Sequence, residues 1–492
     1  MSSPETETAK DELIAKLLEQ NALLREQVRV LTERLDVVER ENAELRLRVT
    51  GRTSERRSGR RKKSPRKKND KEAQRKRREA REKRKSELAS EDVDHPVAEE
   101  TKAACPGCGH GPMSSLAPET SDEFEWRPGR LVRLRHVRER VVCGSCGRFE
   151  TGAAPVRVVD GGHYGPAFHA RIVVHKLLDC VPLHRQVKAL RRDGLHVARA
   201  TLVDIFHRVA SLIEPIYRHM LGQVPGCRIV HADETSLKMQ KVEKLGFIWT
   251  FATSSVVTYV FSPNRSGDTP EQVLGDSAGV LVVDGYTGYN RVTVPERRIR
   301  AGCCAHARRK FYKVDDDDAK RIVEQFDEIW SVEREAKAAG IFRTEEHLAL
   351  RRARAGPTLL GIRDWCVEHR GSFGPKSAMG EAMRYVINQY EPLTRFLDDV
   401  AIDPDNNLSE RLLRIIALGR KNYLFVGHEQ AGRNSAMLAS LLATCVLHEV
   451  NPQDYLADIL LRVQTHPASQ INELLPQRWK GQFGAAAVDE AA

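Results

Sequence analysis

The sequence predicts a chain of several modules. An α/β region, strands first and charged helices after, is preceded by a coiled coil, a zinc-binding module and a pair of helices. Three observations carry this. Leucine and branched residues repeat every seven positions over residues 11–50. Two C-x-x-C pairs lie between residues 105 and 146. From Cys227 onward, β-branched and aromatic runs bounded by Gly, Pro and Asn replace the helical rhythm. At 492 residues the chain is too long for one ordinary core, and three or four domains are expected.

The coiled coil comes first (residues 1–50). Leu17, Leu24, Leu31, Val38 and Leu45 form one seam. Ile14, Asn21, Val28, Leu35, Asn42 and Val49 form a second, three residues earlier. Branched or polar residues at the a position with Leu at d favour a parallel two-stranded coil, and buried Asn fixes its register. Arg34 then faces Glu39 of a second copy, and Glu41 faces Arg46, so a homodimer is expected.

A basic linker comes next (51–99). The net charge of the chain is +11, but Gly51–Lys85 alone holds 19 Lys/Arg against 5 Asp/Glu. The remainder is therefore slightly acidic, at −3. With few large apolar residues this stretch cannot build a core. It reads as a linker that also grips a polyanion such as DNA. No apolar run approaches the roughly eighteen residues of a membrane span, and the N-terminus lacks the plan of a signal peptide. The ten cysteines are not spaced as a secreted disulfide framework, which points to a reducing cytoplasm.

The zinc module is expected over 100–158. Cys105, Cys108, Cys143 and Cys146 supply four thiolates from two tight turns, enough to close a tetrahedral site. Such a site has no open position, so the zinc is structural. Between the pairs, "LVRLRHVRERVV" reads as a strand, and its arginines make the module a candidate for nucleic acid. Residues 163–224 read as helix, Gly-containing turn at Gly194, and helix, the plan of a helix-turn-helix.

The strand region holds "RIVHADETSL", with Asp233 and Glu234 side by side. Neighbours on a strand point to opposite faces, so only one can enter a shared site. Alternation does not say which. Asp284 ends the apolar run "VLVV", and Glu410 falls in the first turns of a helix beginning near "DNNLSER". Three acids have a chemical use. Phosphodiester chemistry needs charge neutralised on attacking and leaving oxygens, and carboxylates hold the divalent ions that do this. Magnesium suits oxygen ligands and leaves room for phosphate. Taken singly, each acid also fits a plainer role. Asp284 could cap a turn, Glu410 could close a capping box with Asn407, and Asp233 could pair with Lys238.

The wording around the acids adds a resemblance. "HADET", "VVDGYTGYN", "GCCAHARRKF", "DNNLSERLLRIIALGRKNYLFVG" and "INELLPQRW" together resemble the bacterial transposases of the insertion-sequence-66 family, over nearly the whole chain. The resemblance implies a DDE transposase with a ribonuclease-H-like catalytic core, a mixed sheet flanked by helices, over 226–436. It identifies Asp233, Asp284 and Glu410 as the catalytic metal ligands, for magnesium or manganese, and leaves Glu234 a bystander. Asp284 and Glu410 lie 126 residues apart, so a helical insertion is expected at about 314–400, and residues 437–492 form a C-terminal helical segment and tail.

The implied activity is cleavage at terminal inverted repeats followed by attack of the freed 3′-hydroxyl on target DNA. Implied partners are both DNAs and accessory proteins of the same element. Arg308, Arg309 and Lys310, with Arg414, Arg420, Lys421 and Tyr423, are expected to bind DNA beside the triad. Cys303, Cys304 and His306 are read as strand neighbours that diverge and lack a fourth ligand, so no second metal is expected there. The alternative to a transposase is a DNA-binding regulator descended from one, without catalysis.

Overall fold

The computed structural model describes residues 90–127, 130–240 and 245–483, together with Arg75 and Glu79. The expected coiled coil and nearly all of the basic linker lie outside the described residues.

The first sheet is built from β1 (Ser90–His95), β2 (Ser114–Arg127), β3 (Arg130–Val142) and β4 (Phe149–Thr151), with the short helix α1 (Glu99–Ala103) after β1. β2 and β3 form a long antiparallel hairpin, while β1 and β4 pair successively along the other edge of β3. Alternation along β3 buries Val132, Leu134 and His136 and leaves Arg133 half-buried and Arg135 exposed, the period-two pattern of a strand with one better-covered face. A buried carboxylate ties the hairpin to the helix after it. Glu125 accepts from the backbone N–H groups of Ala167 (3.2 Å) and Phe168 (2.8 Å). These are orphan donors at the start of α2 (Pro166–Leu177), where negative charge also meets the positive end of the helix dipole.

α3 (Leu183–Arg192) and α4 (Arg199–Gln223) come next, separated by a turn in which Gly194 has φ +89°. Only glycine adopts that conformation readily, and it ends α3 there. The apolar faces of α2–α4 enter the same core as the second sheet, so these helices are not an independent module.

That sheet contains β5 (Ile229–Lys238), β6 (Leu245–Ala252), β7 (Val257–Ser262), β8 (Gly279–Val282) and β9 (Arg298–Ala301), with α5 (Asp268–Leu274) between β7 and β8. Its order is β7-β6-β5-β8-β9. The first three strands are antiparallel, and β5, β8 and β9 are parallel. Mixed sheet and flanking helices agree with the expected α/β core.

After β9 come α6 (Cys304–Tyr312) and α7 (Asp317–Ala338). α8 (Glu345–Leu350) then passes through one π-turn into α9 (Gly356–His369), followed by α10 (Ala378–Asn388) and α11 (Tyr390–Thr394). The chain re-enters the core with α12 (Asn407–Tyr423) and α13 (Glu429–Leu447), and ends in α14 (Pro452–Arg462) and α15 (Pro476–Gln482). The expected core boundary at 436 falls inside α13. This helix belongs to the sheet. Its Ser440 and Thr444 hydroxyls accept from the N–H groups of Tyr259 (2.7 Å) and Val257 (3.0 Å), satisfying the open edge of β7.

The sheet divides two cores, and β8 shows how. Leu281 and Val283 pack with α2–α4 and α13, whereas Val280 and Val282 pack with α6, α7, α9 and α10. Successive residues of a buried strand serve opposite layers. The insertion layer is itself clamped by Arg351, a fully buried side chain that grips Glu333 with two nitrogens (2.7 and 2.9 Å). It also donates to the carbonyls of Phe396, Val400 and Ile402, on the segment leading into α12. A buried cation persists because every donor direction is met.

Candidate active site and zinc module

β5 presents Asp233 and Glu234 in turn. Val230 and Ala232 belong to the core shared with α2–α4, while Ile229 packs against the insertion layer. Alternation therefore sends Asp233 to the insertion side and Glu234 to the other. Asp284 lies two residues beyond Val282, just past the end of β8, and its charge reaches Asp233. Glu234 is enclosed at 2% side-chain exposure, and burial still raises its carboxyl although two donors oppose it. Arg265 Nε donates to it at 2.8 Å, and the Tyr289 hydroxyl at 2.7 Å.

Among the described residues Asp233 has no such cation. Its Oδ1 accepts the N–H of Glu234, at 2.8 Å. Burial, then the charge of Glu234, then those of Asp284 and Glu410 push its carboxyl up to about 7, against the lowering effect of that N–H. Glu410 lies in the first turn of α12, and Asp284 caps its own turn by accepting from Tyr286 N at 2.9 Å. The three acids are close enough for Asp233 to respond to both others. Their donors are hard oxygens, the set that magnesium takes.

Glu410 is placed chiefly by Asn406 and Asp405, which the sequence pattern does not single out. The helix is not capped by a box with Asn407. Asn406 stands at the N-cap without a capping side-chain bond and is spent on β5 instead. Its Nδ2 donates to Ala232 O at 2.7 Å, its Oδ1 lies 3.2 Å from His231 Nδ1, and its N–H meets Cys303 Sγ at 3.2 Å. Next to it, Asp405 accepts from Trp330 Nε1 of α7 at 2.7 Å. The start of α12 is thus stitched to the residue before Asp233 on one side and to the insertion on the other.

In the first sheet, the four cysteine sulfurs lie within 4.8 Å of one another, with Cys105–Cys146 and Cys108–Cys143 both at 3.5 Å. A tetrahedral site with Zn–S of about 2.3 Å needs edges of about 3.8 Å. The two turns repeat each other. Gly109 N donates to Cys105 O and Gly147 N to Cys143 O, and both glycines have φ near +70° (71° and 72°). The Cys146 and Ser145 N–H groups help bring the Cys143 thiol down to about 6. The His110 N–H lowers Cys108, yet its neighbours Cys146 and Cys143 push it up to about 12. Four sulfurs so close cannot all be thiolates without a cation between them, and zinc is the cation that fits.

Against this geometry, the sequence pattern of the "Transposase IS66 family" matches residues 161–434, more than half of the chain. The chain belongs to the IS66 transposase family. The IS66 C-terminal element matches residues 440–477, and the zinc-finger binding domain of IS66 transposases matches 102–147. The last match encloses the four cysteines, and the zinc is structural. The chain is also similar to uncharacterized proteins of Sinorhizobium fredii. It is 32% identical to y4jD over 80% of this chain and 81% of that protein, and 28% identical to y4hP over 78% and 75%. With y4qI it shares 31% identity over 66% and 65%.

As an IS66 transposase with a zinc-finger domain, the protein binds DNA. Among the described residues no helix is long and apolar enough to cross a membrane. The residues expected to touch DNA fall into two sets. Arg308 is held by Asp327 (2.8 and 3.1 Å), Arg309 by Glu410 (3.2 and 3.0 Å), and Lys310 lies over the Tyr385 ring (4.9 Å). Arg420 braces α12 against β5 through Thr235 Oγ1 (3.0 Å) and Ser236 O (2.6 Å), and Tyr423 packs under buried Lys176 (4.7 Å). Arg414 and Lys421 remain exposed on α12. Beside them a cleft of about 800 Å³ runs between α3, the start of α4 and the end of α12, lined by Lys188, Arg191, Arg199, Tyr423 and Phe425 among others. In the first sheet, Arg135 pairs with Asp92 of β1 (Nε 2.8 Å) and Arg138 reaches Gly152 O just after β4 (2.7 Å), so these arginines tie the sheet together.

Cys303, Cys304 and His306 are not strand neighbours. Cys303 is the N-cap of α6 and His306 lies one turn on, so the two share a face. Cys304 is turned into the core.

Proposed function

We propose that this chain catalyses the strand cleavage and strand transfer of its insertion sequence through a DDE triad of Asp233, Asp284 and Glu410 on a ribonuclease-H-like core. The observation that carries the reading is that half-buried Asp233 lies within reach of the charges of both Asp284 and Glu410 and, among the described residues, has no cation of its own. Proteins rarely gather carboxylates at a desolvated point unless metal or substrate chemistry uses them. The strand order, with three antiparallel strands followed by two parallel ones, supports the core assignment.

Two magnesium ions, or manganese in their place, would neutralise the attacking and leaving oxygens of the phosphodiester. The chain's own residues do the positioning. β5 and the end of β8 fix the two aspartates on one face of a rigid sheet. Asn406 and Asp405 hold the helix of Glu410 against it. Arg309, paired with Glu410, is the cation that any metal there would displace, and it is then free for phosphate. The exposed α12 residues Arg414 and Lys421, with the cleft beside α3 and α4, form the track for element-end DNA, where α3, the Gly194 turn and α4 act as a helix-turn-helix. The residues of the coiled coil would bring two protomers, and so two ends, together.

The experiment is magnesium-dependent cleavage and joining of terminal-repeat DNA by the purified protein. Wild type cleaves and joins, and Asp284→Asn does neither while still binding DNA. Activity retained in Asp284→Asn refutes the triad. Wild-type binding with no strand chemistry under magnesium or manganese would establish a regulator instead.

A further inference from the structure

The start of α6 carries a second set of ligands. Cys303, His306 and Glu410 place a thiol, an imidazole and a carboxylate oxygen within 4.8 Å of one another. His306 Nδ1 is buried, makes no hydrogen bond among the described residues, and lies 3.6 Å from Glu410 Oε1. A buried polar atom without a partner marks a place where something is missing. Cys303 is buried too, and its sulfur already accepts the N–H of Asn406, the kind of contact that steadies a metal-bound thiolate.

From these three side chains we infer a regulatory metal site for Zn²⁺ or a similar thiolate-binding ion, overlapping the catalytic site at Glu410 and silencing it when filled. The inference rests on the assignment of Glu410 to the strand-cleaving site. The donor types separate the two metals. Magnesium takes oxygen ligands and has little use for sulfur, while sulfur, nitrogen and one carboxylate are a borderline-soft set with zinc's preferences. Three protein ligands leave a fourth position open, unlike the closed site of the four cysteines. Cys303 and His306 are fixed by one helical turn, and a modest inward movement of Glu410 would complete the set. Arg309 must leave Glu410 first. Its side chain is half-exposed, and the same departure is required by any cation bound there. On binding, the Cys303 thiol releases its proton to water. A Glu410 held by zinc between Cys303 and His306 is withdrawn from Asp233 and Asp284, so metal-dependent cleavage stops.

The test begins with metal alone. Full-length protein with its four-cysteine site filled is titrated with Zn²⁺ against a chromophoric chelator, and with Co²⁺ followed by thiolate-to-cobalt absorption. Wild type should take up a second equivalent. Both Cys303→Ser, which keeps an acceptor for the Asn406 N–H, and His306→Asn should weaken that equivalent at least about tenfold. The cobalt–thiolate band of the second equivalent should vanish in Cys303→Ser. A wild type that binds only one zinc, or a second equivalent indifferent to both substitutions, overturns the site. These readouts need no DNA chemistry, so they stand or fall apart from the proposed activity. The regulatory half is read in the magnesium-dependent cleavage assay. Zinc should inhibit wild type, and Cys303→Ser should require at least about ten times more. Equal sensitivity of the two overturns regulation through this site.

Discussion

Replacing Asp233 by Asn should make the magnesium-free protein more stable. In the folded chain the carboxyl is pushed from its ordinary 3.8 up to about 7, chiefly by burial and then by neighbouring carboxylates. The folded state therefore holds the proton more tightly than the unfolded chain. Between these two values it binds more protons, and stability falls as pH rises. The loss begins near pH 4 and is complete above about pH 7. A shift of about three units corresponds to roughly 4 kcal/mol, an upper figure for a group that solvent still partly reaches. Asn keeps the shape and the acceptor for the Glu234 N–H but carries no charge. Without added divalent metal, Asp233→Asn should thus be about 2–4 kcal/mol more stable than wild type at pH 8 and equal to it near pH 4. Urea unfolding at the two pH values measures this. Saturating magnesium should stabilise wild type at pH 8, because an ion bound only by the folded state adds to its stability, and leave the variant nearly unchanged. A variant equally or less stable than wild type at pH 8 would falsify the picture of an uncompensated buried charge.

Other outcomes rest on the same contacts. Asn406→Ala leaves Ala232 O and His231 Nδ1 without partners and should cost about 2–4 kcal/mol in chemical denaturation. It should also lower magnesium-dependent cleavage at least about tenfold by freeing the Glu410 helix, and unchanged cleavage would count against its positioning role. Glu234→Gln weakens the contacts to Arg265 and Tyr289 but leaves the triad, so strand cleavage should fall far less than in Asp284→Asn when the two are assayed side by side. Cys143→Ser should release the structural zinc, read by metal analysis, and expose the β2–β3 hairpin to protease, while the β5–β9 sheet persists in hydrogen exchange. Glu333→Gln leaves Arg351 buried with half its partners and should cost about 3–5 kcal/mol in urea unfolding.

Much of the fold was legible because its signals are local. The β-branched runs became β5 to β8, the charged stretch after Val314 became the helices α7 to α11, and Gly194 broke a helix where its φ requires it. The four cysteines were readable from spacing alone, since each pair closes its own turn. What the sequence did not show lay with distant partners and with the ends of elements. Cys303 and Cys304 looked like strand residues, but β9 ends at Ala301 and a helix begins at Cys304. The basic run at 308–310 is met by Asp327, Glu410 and Tyr385 from other elements, contacts that no local pattern shows. Arg420, expected beside DNA, also braces Thr235 and Ser236.

The sequence by itself determined the change from helical to strand rhythm, the zinc ligands and the three acids worth considering, because periodicity, turn chemistry and residue type are properties of neighbours along the chain. It did not determine which of Asp233 and Glu234 faces Asp284. Strand alternation is symmetric, and only the packing of Val230 and Ala232 against one layer and Ile229 against the other gives each face its identity. Tertiary structure also decided the charge balance. Arg265 and Tyr289 reach Glu234 from 31 and 55 residues away and satisfy it, while Asp233 is left with like charges. A carboxylate's role depends on what surrounds it in space, and that is set when distant strands and helices close upon it.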